Sequence, residues 1–92
     1  MGTHATWDPW KALTDERKHG VSFREAESAF ADPFALAIDD ERHSRDEDRW
    51  LLLGLSARGR LLVVVHVDAG HTVRIISARK ATSAERRIYE EA

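Results

Sequence analysis

The run of seven residues from Leu61 to Val67, LLVVVHV, limits the fold more than any other part of the sequence. It is apolar on both faces until His66, which predicts a strand in the middle of a sheet. The turn SARGR connects it to a preceding strand over Trp50–Leu55, and the turn DAG connects it to a last strand over Thr72–Ala78. Two tight turns in succession predict an antiparallel meander.

Helix signals precede these strands. Asp8 and Pro9 suit the N-cap and the first position of a helix that runs to about His19 and ends at Gly20. A second helix is predicted after the serine of the stretch SFRE, which has the spacing of a capping box. Its buried stripe is Phe23, Ala26 and Phe30, and Asp32-Pro33 ends it.

A third helix is predicted at the C-terminal end of the chain. Thr82 and Glu85 have the spacing of a second capping box. The order of helix, helix, strands and helix predicts an α+β fold with an antiparallel meander, in one domain over residues 1–92. We expect residues 1–6 to be a loose N-terminal end.

A short strand over Phe34–Ile38 is predicted before an exposed polar loop from Asp39 to Arg49, DDERHSRDEDR. His43 lies in this loop among many carboxylates. We interpret it as a solvated side chain, because no second histidine lies at the spacing of a metal ligand pair.

The overall composition limits which ligands the protein can bind and where in the cell it can be. The net charge is −2, so any binding to nucleic acid has to come from a local patch. The chain has no cysteine, which excludes disulfides and thiolate metal sites. Its apolar runs are far shorter than the roughly 20 residues of a membrane span, and its N-terminal stretch does not have the pattern of a signal peptide. We therefore expect a cytoplasmic protein that makes no membrane contact.

Cations gather where the last strand is followed by the last helix. Side-chain alternation places Val73, Ile75, Ser77 and Arg79 on one face of the strand and Arg74, Ile76 and Ala78 on the other. Arg79 then lies at the strand end, close to the N–H groups of the helix that follows. Arginine side chains and helix N-termini both bind phosphate, so this junction is a candidate anion site. Its cations are Arg74, Arg79, Lys80, Arg86 and Arg87.

Simpler interpretations exist for the residues of the last helix. Arg86 and Arg87 have the spacing of surface pairs with glutamates four residues later. Glu85 has a sufficient role in its capping box, whereas Arg79 lacks a helical partner at this spacing. Tyr89 fits either the edge of the core or a base-stacking position.

Three motifs resemble those of the BrnT family of bacterial toxins. They are W-D-P-x-K at Trp7–Lys11, K-H-G-V-S-F-x-E-A at Lys18–Ala26, and R-I-I-S-A-R-K-A-T-x-x-E-R-x-x-Y at Arg74–Tyr89. Between them, GLS at residues 54–56 and GRLLVV at residues 59–64 match the central hairpin of the family. The resemblance extends from Trp7 to Glu90.

The resemblance implies a RelE-like fold and a metal-independent endoribonuclease that needs no cofactor. It also implies a partner, a small BrnA-like antitoxin with a ribbon-helix-helix domain that contacts DNA. The toxin would then reach DNA only through this antitoxin.

The resemblance also suggests which residues are functional. The family's catalytic positions fall on Lys18, His19, Arg74, Arg79 and Glu85, and the candidate RNA contacts are Arg49, Lys80, Arg86 and Tyr89. In the roles that follow, the two arginines stabilise phosphate charge, Glu85 or His19 takes a proton, and Lys18 balances charge or assists the leaving group.

The chain departs from the family pattern at Asp15 and Glu16 and again at Val67 and Ala69. The first pair adds acid close to Lys18. A second hypothesis therefore stands beside the ribonuclease. In it, the chain is a degenerate, non-catalytic module that docks an antitoxin-like DNA-binding partner.

Overall fold

The computed structural model describes residues 3–39 and 49–92. In this part of the chain, strands and helices follow one another in an α+β arrangement, as the sequence predicts. The elements are β1 (His4–Thr6), α1 (Pro9–His19), α2 (Phe23–Ser28), a 3-10 turn (Ala29–Ala31), β2 (Leu36–Asp39), β3 (Arg49–Leu55), β4 (Leu61–Ala69), β5 (Thr72–Lys80) and α3 (Ser83–Glu91).

The strands form one sheet in the order β1-β5-β4-β3-β2. The pairs from β2 to β5 are antiparallel, which confirms the predicted meander. β1 pairs in parallel with β5, so the whole sheet is mixed. The expectation of a loose N-terminal end is wrong for residues 4–6. Ala5 is buried in the core and its N–H donates to Glu27 Oε2 at 2.9 Å, which fixes this segment.

Local capping signals define α1 as predicted. Asp8 accepts hydrogen bonds from the N–H groups of Trp10 at 2.8 Å and Lys11 at 3.4 Å. Gly20 ends the helix with φ of 72°, a left-handed conformation that glycine adopts without steric cost. Both ends of the helix are thus set by residues next to it in the chain.

α2 begins as predicted but is shorter. Ser22 Oγ accepts from the N–H of Glu25 at 3.0 Å, and Phe23 and Ala26 are buried. The α-helix ends at Ser28, and a 3-10 turn continues to Ala31.

Several strand boundaries differ from the predicted ones. β2 runs from Leu36 to Asp39. It begins later than predicted, because Phe34 is exposed and lies outside the sheet. Arg49 belongs to β3, so both ends of the predicted polar loop are strand residues, while residues 40–48, including His43, lie outside the described part. β4 continues through Ala69, so the turn consists of Gly70 and His71 and not of the predicted DAG, and β5 continues to Lys80.

The two faces of the sheet are covered differently. α1 and α2 cover one face, which we call the α1/α2 face, and α3 packs on the other, the α3 face. The main core on the α1/α2 face includes Phe23, Leu62 and Val64, all almost fully buried. The smaller core under α3 consists of Leu53, Leu61 and Val63 with Tyr89 against them. Within the described residues, no helix is long and apolar enough to cross a membrane.

Candidate active site

A β-bulge in β5 decides which face of the sheet carries the arginines. Val65 of β4 pairs with Ser77, but the next residue, His66, pairs with Ile75. Ile76 is therefore an extra residue in β5 at this point. One extra residue reverses the side-chain alternation of the strand beyond it.

The burial pattern shows the reversal directly. Ile75 and Ala78 lie in the same core cluster on the α1/α2 face, although an uninterrupted strand would place them on opposite faces. Arg74 and Arg79, their neighbours, consequently both belong to the α3 face. The predicted alternation, which put these two arginines on opposite faces, is wrong because it did not include the bulge.

Arg49 of β3 lies on the same face as these two arginines. Val67 of β4 pairs with Arg49 on one side and with Arg74 on the other. Four residues further along β4, Val63 pairs with Arg79. Residues directly opposite each other in a sheet share a face, so the three arginines lie on the α3 face. The distance along β4 between the two rows is about 13 Å.

Arg79 is held by a bidentate ion pair with Glu85. Arg79 Nη1 donates to Glu85 Oε1 and Nη2 donates to Oε2, both at 2.8 Å. Nη1 also approaches the carbonyl oxygen of Lys80 at 3.3 Å. The Arg79 side chain is 36% exposed and that of Glu85 is 25% exposed, so solvent still reaches the guanidinium. Arg79 has no partner at the helical i,i+4 spacing, but Glu85, six residues later, reaches back across the junction to pair with it.

Glu85 closes the capping box at the same time. Its Oε1 accepts from the N–H of Thr82 at 2.8 Å, and its own N–H donates to Thr82 Oγ1 at 3.2 Å. The predicted capping box is therefore confirmed. One carboxylate fixes both the start of α3 and the position of Arg79.

This pairing sets the charge state of both groups. The hydrogen bonds from Arg79 lower the pKa of Glu85 to about 2, against the opposing effect of burial. The same carboxylate raises the pKa of Arg79 above its ordinary value. Both side chains are therefore ionised at neutral pH, and Glu85 is a weak proton acceptor there.

A small apolar cleft adjoins the ion pair. Glu85 and Ile88 of α3 form one wall, and the sheet forms the other. Its volume is about 220 Å³. The sheet residues that line it are Ile38, Leu51, Leu53 and Val63.

Tyr89 serves as an anchor for α3. Its hydroxyl donates to Asp32 Oδ2 at 2.6 Å, and its ring packs on the small core. Asp32 also accepts from the N–H groups of Phe34 at 2.9 Å and Leu55 at 2.8 Å. Burial raises the pKa of Asp32, but these hydrogen bonds outweigh it and lower the pKa below the ordinary value. Of the two interpretations of Tyr89, these contacts favour the core edge.

The remaining predicted site residues lie elsewhere. Lys80 is exposed and pairs with Leu62, which belongs to the α1/α2 face, and Arg86 is exposed on α3. Lys18 and His19 occupy the last turn of α1. The structure therefore brings together Arg49, Arg74, Arg79 and Glu85 and leaves the two α1 residues on the other side of β5.

Asp15 has a structural contact that accounts for one departure from the family pattern. Its Oδ1 accepts from the N–H of Ala78 at 3.0 Å. β1 pairs with residues 72–74 of β5, so this bond gives a partner to a backbone N–H of β5 beyond the part that β1 covers. The acid near Lys18 thus ties α1 to the sheet.

Glu25 and Arg60 form a second ion pair that the sequence interpretation missed. The Glu25 side chain is 5% exposed, and its Oε2 accepts from Arg60 Nε at 2.9 Å and from Ser56 Oγ at 2.8 Å. Arg60 Nη2 bonds to Glu25 Oε1 and, at 3.1 Å, to the carbonyl oxygen of Gly20. The available signal was a charged residue in each of two family motifs, Glu25 in KHGVSFREA and Arg60 in GRLLVV.

The α3 face thus carries three arginines, one of them clamped at a strand–helix junction, and arginine side chains of this kind are suited to bind phosphate. A family model described as "Ribonuclease toxin, BrnT, of type II toxin-antitoxin system" matches residues 7–85. The chain therefore belongs to the BrnT family of ribonuclease toxins.

The fold is also similar to a solved structure. The crystal structure of the Brucella abortus ribonuclease toxin BrnT has a TM-score of 0.66 to this chain. It covers 88% of this chain and 99% of its own, at 21% sequence identity, and thus shows the shared fold alone. No curated protein matches the chain in sequence. The RelE-like classification stays a prediction.

Proposed function

We propose that this chain is the toxin of a type II toxin–antitoxin module and cleaves RNA without a metal ion, which arrests translation and growth. The observation that carries the proposal is the position of Arg74 and Arg79 on one sheet face, with Arg79 fixed by Glu85. Both arginines lie within the residues that match the ribonuclease toxin family.

The chemistry requires no nucleophile from the protein. The 2′-hydroxyl of a ribose attacks its own phosphodiester, a bond forms from the 2′ oxygen to phosphorus, and the bond to the 5′ oxygen breaks. The products are a 2′,3′-cyclic phosphate and a 5′-hydroxyl end. Fixed cations stabilise the charge that develops on the phosphorane, which is the task of Arg79 and Arg74 in this proposal.

The two proton transfers are assigned by charge state. Glu85 positions Arg79, because a carboxylate with a pKa of about 2 is a weak base at neutral pH. His19 takes the proton of the 2′-hydroxyl, and Lys18 assists the leaving oxygen. Because the base, the acid and Arg79 must contact the same phosphodiester, this assignment places the scissile phosphate at the edge of β5, between the α3 face and the last turn of α1.

The partner in this proposal is a BrnA-like antitoxin with a ribbon-helix-helix domain, in the cytoplasm. Antitoxin binding silences the toxin by covering the α3 face, which carries Arg49 together with the catalytic arginines. Any DNA contact of the complex is made by the antitoxin.

One observation favours the second candidate, a non-catalytic module that only docks the antitoxin. Both terminal nitrogens of Arg79 are already hydrogen-bonded to Glu85. A phosphate must therefore share this guanidinium or displace the carboxylate. An assay of RNA cleavage by the purified chain separates the two candidates.

We expect expression of this chain alone to arrest bacterial growth, and co-expression of the neighbouring antitoxin to restore it. The reason is the cleavage activity proposed above, which a stoichiometric partner blocks. Growth curves and RNA integrity in induced cells test this prediction. Normal growth in cells that contain folded, soluble protein would support the non-catalytic candidate.

We expect Glu85→Gln to slow cleavage by roughly ten- to a hundredfold while the pH–rate profile keeps its shape. The amide still caps α3, but it holds Arg79 less firmly. If Glu85 is itself the base, the profile of the wild type rises near pH 2, and this rise disappears in the variant.

A further inference from the structure

Trp10 stands out on the surface of α1. It is 79% exposed, the largest exposed fraction among the large apolar side chains of the described residues. Tryptophan side chains are on average highly buried in folded proteins. α1 packs on the core through Ala12, so Trp10 adds little to folding.

Trp10 borders an open groove of about 360 Å³ between α1 and the edge of β5. Trp10, Thr14 and Lys18 follow at intervals of four residues, so they form one stripe along the helix. Ile76, the bulge residue, forms the opposite side. The full lining is Trp10, Lys11, Thr14, Asp15, Lys18 and Ile76.

The charges of the groove favour an anion. Lys11 and Lys18 contribute two cations, against the single carboxylate of Asp15. That carboxylate already accepts the hydrogen bond from Ala78 N–H that completes the strand edge. The lysines can therefore attract a phosphate, while the indole face offers a stacking surface for a base.

We propose that Trp10, Lys11 and Lys18 form a nucleotide subsite for single-stranded RNA. One base stacks on the Trp10 indole and its phosphate contacts Lys11, while Lys18, which assists the leaving oxygen in the proposed function, lies between this nucleotide and the scissile phosphate. This inference rests on the proposed function, because it places the continuation of the cleaved strand beside Lys18. The combination of an aromatic face with cations is the means by which proteins bind single strands without reading their sequence.

The groove also connects to the α3 face, which carries the arginines. Ile76 lies between Arg74 and Arg79 in β5 and turns toward α1, whereas the arginines lie on the α3 face. A strand held by Arg79 can therefore cross the edge of β5 and reach Trp10 within the same molecule. The bulge thus directs one β5 residue to the subsite and two to the site of cleavage.

The test measures the affinity for a short, mixed-sequence 2′-O-methyl RNA, which lacks the attacking hydroxyl and stays intact. We expect Trp10→Ala to weaken binding roughly 5- to 150-fold, the range for the loss of one stacked base. Trp10→Phe should retain most of the affinity, since it keeps an aromatic face. Phe34→Ala is the matched control, because Phe34 is also an exposed aromatic, at 75%, and lies outside the groove.

The outcomes separate this inference from the proposed function. Wild-type binding that Trp10→Ala leaves unchanged overturns the subsite and leaves the ribonuclease intact. Equal losses in Trp10→Ala and Phe34→Ala also overturn it, since the effect is then not specific to the groove. If Trp10→Ala weakens antitoxin binding but not RNA binding, the groove is a protein contact and the inference fails. A wild type that neither binds nor cleaves RNA overturns the proposed function as well.

Discussion

Replacement of Arg79 by alanine should reduce RNA cleavage by roughly a hundred- to a thousandfold. This is the typical loss when one fixed group that stabilises transition-state charge is removed. Arg79 is prepared for this task, since Glu85 holds both terminal nitrogens and leaves the side chain 36% exposed to a ligand. Single-turnover cleavage of a labelled RNA measures the effect.

The same substitution should also lower the melting temperature slightly. Arg79 and Glu85 form a bidentate ion pair. Loss of the arginine leaves the Glu85 carboxylate 25% exposed and still hydrogen-bonded to Thr82 N–H. A pair this accessible to solvent contributes about 1 kcal/mol, which corresponds to roughly 4–8 °C in a domain of this size. This cost is visible only in the folded chain, because Glu85 lies six residues after Arg79 and not at a local helical spacing.

Two controls distinguish catalysis from folding and from general charge. Arg87→Ala removes an exposed cation from the same helix and should retain nearly full activity. Arg79→Lys keeps the charge but loses the planar fork and should recover only part of the rate. An Arg79→Ala enzyme with wild-type cleavage would move the catalytic assignment away from this junction.

The helices were predictable because their signals are local. Asp8 bonds to N–H groups two and three residues later, and Gly20 ends the helix through its own backbone conformation. Thr82 and Glu85 likewise fix the start of α3 within four residues. Such signals depend on neighbours in the chain, which a sequence shows directly.

The site was less predictable because it depends on strand register. The bulge at Ile76 arises from the pairing of β5 with β4, a contact between distant positions of the chain. Without it, strict alternation separates Arg74 from Arg79. β1 was not predicted for the same reason. Three residues carry no periodic signal, and only their pairing with residues 72–74 makes them a strand.

Glu25 illustrates a spacing that was interpreted correctly only in part. Ser22 does accept from the N–H of Glu25, as a capping box requires. The carboxylate, however, turns to Arg60, 35 residues away in the chain. A local motif therefore concealed a long-range contact that joins α2 to the β3–β4 turn.

Glu25→Gln should produce the largest loss of stability among the substitutions considered. The Glu25 side chain is 5% exposed and bonded to both Arg60 and Ser56. Removal of one charge of a buried pair leaves the other without compensation. Because Arg60 keeps 27% of its side chain exposed, we expect the lower part of the usual range, about 2–3 kcal/mol, and a melting temperature lower by roughly 10–20 °C.

The pH dependence of unfolding provides an independent test of the same pair. The hydrogen bond from Arg60, with that from Ser56, lowers the pKa of Glu25 below its ordinary 4.5, although burial opposes the shift. A carboxyl group whose pKa is lower in the folded state stabilises the fold above about pH 4.5, and this contribution is lost as pH falls through the folded pKa. The wild type should therefore lose more stability than Glu25→Gln between about pH 4.5 and the acid limit. The remaining decline in the variant comes from Asp32 and from Glu85, whose pKa is about 2.

Glu16→Gln is the matched control, since Glu16 is an exposed glutamate on α1. It should unfold within a degree or two of the wild type and keep the same acid profile, because surface substitutions of this kind change stability by no more than about 0.5 kcal/mol. If Glu25→Gln behaves like this control at neutral pH, the ion pair with Arg60 is not what joins α2 to the β3–β4 turn. If the neutral-pH loss appears but the acid profile is unchanged, the cost comes from packing of the side chain and not from its charge.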